Sequence, residues 1–244
     1  MARFEAPLQP SHPRHRPPSP SPPASRAELA CLEGEIVACG KCPRLVEWRE
    51  RVATTPKALS TGEPYWARPV PGFGDPDATL VVIGLAPAAH GGNRTGRVFT
   101  GDRSGDWLFA ALWRAGYASQ AQSLARNDGM VLTGAWISTA VRCAPPANRP
   151  SPEERDRCLP YLQRELELLT AARVVVGLGG FACDAVARAA GIRPRPRFAH
   201  LAEYRFDAKT LLCSYHPSQQ NTFTGKLSQA MFDAVFARAR ALGA

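Results

Sequence analysis

Three groups of residues in this chain have types and spacing that could do chemistry. The first is residues 84–102, GLAPAAHGGNRTGRVFTGD, which hold five glycines, two arginines and one carboxylate, Asp102, directly after the apolar run TLVVI. A Gly-rich loop after a strand lets backbone approach an anion or a flat ligand. Gly91 and Gly96 have the spacing of a phosphate-binding loop, but Arg97 and Val98 stand where that loop needs Lys and Ser/Thr. Nucleoside triphosphates are therefore disfavoured, and a loop for a flat ligand, with Phe99 to stack on it, explains the glycines better. Asp102 could act on that ligand or cap the helix that follows, or do both. A phosphohydrolase built on this loop is a competing reading that predicts metal-dependent turnover.

The second group surrounds His216 in CSYHPSQQNTFTGKLSQ. Pro217 stops the preceding strand, so His216 is expected at a strand end. Ser218, Gln219, Gln220, Asn221 and Thr222 lead into a helix. Thr224 is the expected N-cap of that helix, and Lys226 beside its N-terminus suits a phosphate. The third group is cysteine. Cys39 and Cys42 form C-x2-C, Cys143 closes AWISTAVRC and Cys158 lies in EERDRCLPYL. Four thiolates bind zinc or an iron–sulfur cluster, and the spacing does not separate the two. Cys31, Cys183 and Cys213 sit among Ala, Leu and Val, as small buried cysteines do.

The elements that must position these residues form a regular series from residue 79. Strand-like runs at 79–85, 135–143, 173–179 and 210–216 are each followed by a helix-like segment, at 104–116, 152–171, 181–190 and 226–242. Ser151 followed by Pro152, Glu153 and Glu154 is a strong helix start. Alternating β and α segments with continuously apolar strands predict a three-layer α/β/α single domain around a four-stranded parallel sheet. In such sheets the ligand crevice lies beyond the strand C-termini. The loops expected there, 85–103, 144–150, 179–181 and 217–225, carry most of the distinctive polar residues.

Eight of the 23 prolines fall within residues 1–26, which are expected to form a disordered, basic tail outside a domain spanning 27–244. The tail's four arginines and one glutamate account for +3 of the formal +9, so the remainder is basic in its own right and suits a polyanion. No apolar run reaches the roughly 18–20 residues of a membrane span, and the N-terminus lacks the apolar core of a secretory signal. A cytoplasmic protein is expected, in which seven cysteines are not a disulfide framework.

GLAPAAHGGNRTGRVFTGDRSG, AVRCAPPANRPSPEE, HPSQQNTFTGKLS and the cysteine set occur together, in order, across roughly residues 36–240. In this combination the chain resembles the family 5 (B-type) uracil-DNA glycosylases. The resemblance implies a monofunctional DNA-repair hydrolase, monomeric and nucleoid-associated, that flips uracil or another deaminated base such as hypoxanthine or xanthine out of DNA. It implies a structural 4Fe–4S cluster on Cys39, Cys42, Cys143 and Cys158. Asp102, Asn148 and His216 match its catalytic positions, and Phe99 matches the aromatic on which the base stacks. Gly84, Leu85 and Ala86 would line the base site. Thr139 stands where several relatives carry an Asn that reads the uracil edge. Arg94, Arg97, Lys226 and the 218–221 loop are expected to meet DNA, with 218–223 as the wedge. The stretch Leu85–Ala89 is wholly apolar where other uracil-glycosylase families put Asp, Asn or Glu. A non-catalytic iron–sulfur or zinc DNA-binding protein is the alternative that this departure leaves open.

Overall fold

The computed structural model describes residues 23–59 and 64–244. Its centre is a mixed sheet of six strands in the order β1-β3-β2-β4-β6-β5. These are β1 (Phe73–Gly74), β2 (Leu80–Gly84), β3 (Ala135–Thr139), β4 (Val174–Leu178), β5 (Glu203–Phe206) and β6 (Lys209–Ser214). The expected four-stranded parallel sheet is thus corrected. β3, β2, β4 and β6 pair in parallel, while β1 and β5 add antiparallel edges. Neither edge strand has an apolar run to announce it: β1 is two residues long, and β5 alternates exposed and half-buried positions.

The inner strands bury both faces, because helices cover both. On one side Leu80, Val82, Ile137, Val174, Val176 and Leu212 pack with α5 (Arg103–Arg114) and α9 (Gln229–Ala241). On the other, Val81, Ile83, Trp136, Val175, Leu211 and Cys213 pack with α1 (Pro23–Val37), α6 (Pro152–Leu168) and α7 (Gly180–Ala189). Side chains alternate across a strand, so a run such as LVVI fills both cores at once. α2 (Pro43–Ala53) and three short helices, α3 (Pro56–Leu59), α4 (Gly92–Thr95) and α8 (Gln219–Phe223), sit in the connections.

Three boundaries differ from expectation. Residues 1–22 of the proposed tail lie outside the described residues, and its last four form the first turn of α1, where Arg26 ion-pairs with Asp77. The run 135–143 leaves the sheet after Thr139, so Cys143 lies in an irregular turn rather than at a strand end. Thr224 is the C-cap of α8, and the N-cap of α9 is Ser228, whose hydroxyl accepts from the Met231 N–H. A helix start separated from the previous element by a few polar residues has several plausible caps, and packing of α9 selects among them.

Candidate active site

The register of the inner strands brings their C-terminal ends level: Gly84 stands opposite Thr139, and Leu178 opposite Ser214. The chain leaving β2, β3 and β6 therefore emerges on one side of the sheet. A cavity of about 510 Å³ opens there, lined by Leu85, Ala86, Ala88, Phe99, Asp102, Arg103, Ser104, Asn148, His216, Ser218 and Gln219. The structure thus gathers all three expected catalytic side chains, from three separate loops, with Phe99 and two residues of the expected DNA loop.

The glycines of 84–102 are explained by what they make room for. A Cβ on Gly84 would stand 2.5 Å from Cζ of Phe99, so the bare backbone seats that ring. A Cβ on Gly91 would stand 2.4 Å from Oδ2 of Asp102, so Gly91 leaves space for the carboxylate. The other oxygen, Oδ1, accepts from the Gly105 N–H at 2.9 Å and caps α5. Asp102 therefore both caps the helix and faces the cavity. Its burial raises the carboxyl above the usual range, opposed by the Gly105 backbone bond.

His216 faces Phe99 with ring centroids 6.2 Å apart. Burial pushes its imidazole down to about 4, so the ring is neutral at physiological pH. Asn221 donates from Nδ2 to the His216 carbonyl at 2.8 Å, and the Ser218 hydroxyl caps α8, the short helix that holds Asn221. Asn148 is exposed to the cavity in a left-handed conformation, φ 55°, directly after Ala147 at φ 51°. Such a conformation costs an L residue about 1–2 kcal/mol and persists where the surroundings over-determine it. Prolines at 145, 146, 150 and 152 restrict the loop on both sides.

Other expected residues fall elsewhere. Arg97 is corrected outright: it is 5% exposed and donates to Thr100, Ser123, the carbonyls of Ala125 and Arg126, and Asp128. A guanidinium so enclosed braces the loop 123–128 and cannot meet a DNA phosphate. Arg94 crosses Gly101 to the Leu124 carbonyl and also bonds the His90 carbonyl. Thr139 is buried, and its hydroxyl donates to the Val141 carbonyl at 3.0 Å, which closes the turn after β3. Gln220 and Lys226 are exposed beyond the cavity, with the Lys226 ammonium over the Tyr215 ring.

Arg103 was missed. It lines the cavity, is exposed, and stacks its guanidinium 4.9 Å from the ring centroid of Phe223, itself 67% exposed. A cation in the first position of a helix opposes the macrodipole, and that anomaly was visible in the sequence.

Cys42, Cys143 and Cys158 form one buried cluster with Leu45 and Val141, and Cys39 packs beside it against Tyr161. Arg49, 6% exposed, donates from Nη1 to Sγ of Cys143 at 3.1 Å; its ion pair, to the exposed Glu50, is long at 3.8 Å. Among the described residues no group of three or more His, Cys, Asp or Glu side chains is arranged to hold a metal ion. Cys31 is exposed, whereas Cys183 and Cys213 belong to the core under the opposite part of the sheet.

The chain is also similar to known proteins. The family model of the uracil DNA glycosylase superfamily matches residues 71–240. The type-5 uracil-DNA glycosylase of Mycobacterium tuberculosis is 49% identical over 216 residues, covering 86% of this chain and 80% of that protein. That of Thermus thermophilus is 49% identical over 209 residues, 85% of this chain and 94% of its own length. A type-5 enzyme of Pyrobaculum aerophilum is 43% identical over 206 residues, 84% of this chain and 89% of that protein.

Proposed function

The chain belongs to the uracil DNA glycosylase superfamily and to its type-5 members, and from that membership we propose that its cavity hydrolyses the N-glycosidic bond of a base flipped from DNA. The observation that carries the reading is the convergence of Asp102, Asn148, His216 and Phe99 on one cavity beyond the strand ends. A base inside a duplex is out of reach of such a pocket, so the nucleotide is extruded at a cost of a few kcal/mol. Phe99, seated on Gly84, offers the face on which the base stacks.

The C1′–N bond electrons leave with the base, which becomes an anion, and the sugar passes through an oxocarbenium-like state. Neutral His216 serves as an N–H donor to the charged oxygen of that base and keeps its proton. Loss of one such preorganised donor costs about 2.7–4 kcal/mol. Water adds to C1′, with Asp102 orienting it and taking its proton, assisted by Asn148. The displaced base then acquires a proton, leaving an abasic site. Substrate breadth follows from the same geometry. Leu85, Ala86 and Ala88 of the wall are apolar and present no side-chain donor that rejects hypoxanthine or xanthine, and the buried Thr139, outside the lining, spends its hydroxyl on the Val141 carbonyl.

We assign Cys39, Cys42, Cys143 and Cys158 to a 4Fe–4S cluster. Three buried thiols with the half-buried Cys39 beside them suit it in kind, as does a buried guanidinium donating to Cys143 where thiolate charge would lie. Its chemistry here is structural, tying the N-terminal helices to the turn after β3. Purified protein should be brown and contain iron; Cys143→Ser should lose it and Cys31→Ser should not, while colourless protein with stoichiometric zinc would overturn the assignment.

The decisive measurement is release of free uracil from a duplex carrying a single uracil, with an alkali-labile site left behind, as a monomer and in excess chelator. Binding of that duplex without release would instead favour the non-catalytic alternative.

A further inference from the structure

Outside the cavity, one side chain joins the segment of Cys42 to the loop that carries Asn148. Arg44, in the first turn of α2, donates from Nε to Oε1 of Glu154 at 2.8 Å and from Nη2 to Oε2 at 2.7 Å. The same Nη2 reaches the carbonyl of Arg149, the residue after Asn148, at 3.1 Å. Glu154 is 4% exposed, and its Oε2 also accepts from the Ser151 N–H at 2.7 Å, which completes the capping box of α6. Directly before these anchors stand the two consecutive left-handed residues, Ala147 and Asn148. Among the described residues, Arg44 is the one side chain from outside 145–154 that hydrogen-bonds into that stretch.

We propose that Arg44 is a positioning residue for Asn148: its fork fixes Glu154 and the Arg149 carbonyl together, and so sets where the Asn148 amide stands in the cavity. The proposal rests on Asn148 acting on the substrate, as read above. A planar guanidinium is suited to this because it holds a carboxylate in two parallel bonds and still has a donor to spare. Arg44 is not among the residues that line the cavity and both ends of its fork are engaged, so the proposal places its loss on the chemical step and not on affinity. Misplacement of a reacting group by about 1 Å can cost about 10²-fold in rate.

The test is single-turnover uracil excision, duplex affinity and melting temperature for wild type, Arg44→Ala, Arg44→Lys, Glu154→Gln, Asn148→Ala and the Arg44→Ala/Asn148→Ala double variant. Arg44→Ala should slow excision about 10-fold with affinity within about twofold. It should add nothing further in the Asn148→Ala background. Arg44→Lys keeps the charge but not the fork and should recover part of the rate, and Glu154→Gln weakens the fork from its other side and should repeat the rate-only loss. An unchanged rate for Arg44→Ala, or the same loss with and without Asn148, would overturn the proposal alone. A wild-type rate for Asn148→Ala would overturn the reading of Asn148 and this proposal with it.

Discussion

At the residue scale, the helix-capping role of Asp102 and the water-orienting role proposed for it can be separated by substitution. Asn is as good an N-cap as Asp, so Asp102→Asn should keep the fold and slow the chemical step about 10²–10⁴-fold, with duplex affinity nearly unchanged. Asp102→Ala should lose the rate and also about 0.5–2 kcal/mol of stability. Equal rates for Asp102→Asn and wild type in single-turnover assays would reduce Asp102 to a cap. For His216, a folded value of about 4 against an ordinary 6.5 means that a proton is taken up on unfolding between those values. Its neutral burial favours the fold above about pH 6.5, and that contribution is lost as pH falls toward 4. Wild type should therefore lose stability across this window more steeply than His216→Asn, as read by denaturant midpoints at each pH. The excision rate should show no inflection near 6.5. Asp102 and His216 were legible from their loops because a lone carboxylate and a histidine at a strand end stand out. Arg97 was misread because nothing local told a surface cation from one enclosed by the loop 123–128, 26 or more residues away in sequence.

Elements decide whether those residues meet. Each core strand and major helix of the α/β series announced itself by apolar run or cap, since burial on both faces demands continuous apolar residues. The connections were harder to read. Nothing in CAPPANRP by itself specifies that Ala147 and Asn148 both turn left-handed, and the residues just after them are tied to Arg44, a side chain more than a hundred positions away. Within 84–102 the glycines could be counted but not assigned. Gly91→Ala tests one assignment: its Cβ would displace the Asp102 carboxylate, so the rate should fall toward that of Asp102→Asn while the protein stays folded. Measured excision at the wild-type rate would show that the carboxylate tolerates the shift and that Gly91 serves another purpose.

For the whole molecule, the net charge of +9 makes DNA affinity depend steeply on salt. Each phosphate contact contributes about 0.9 to the slope of log K against log salt. Arg103→Gln should lower that slope by about one, whereas Arg97→Gln should leave it unchanged and destabilise the fold by breaking its enclosed pair with Asp128. Fluorescence anisotropy across a salt series, with thermal melts beside it, reads both. Truncation before Pro23 should preserve the single-turnover rate, but truncation after Arg26 removes the first turn of α1 and its tie to Asp77 and should lower stability. The chain's own order of residues determined the layered α/β class, the loops that line the cavity and the C-x2-C pair. It could do so because periodicity, caps and Gly-rich loops are local signals of backbone conformation and burial. The meeting of Asp102, Asn148 and His216 at one cavity was expected from their loops and the structure supplied its shape, whereas tertiary structure alone decided which arginines face outward and that two antiparallel edges extend the sheet. Those outcomes depend on strand register and on contacts between segments far apart in sequence, and no local pattern encodes them.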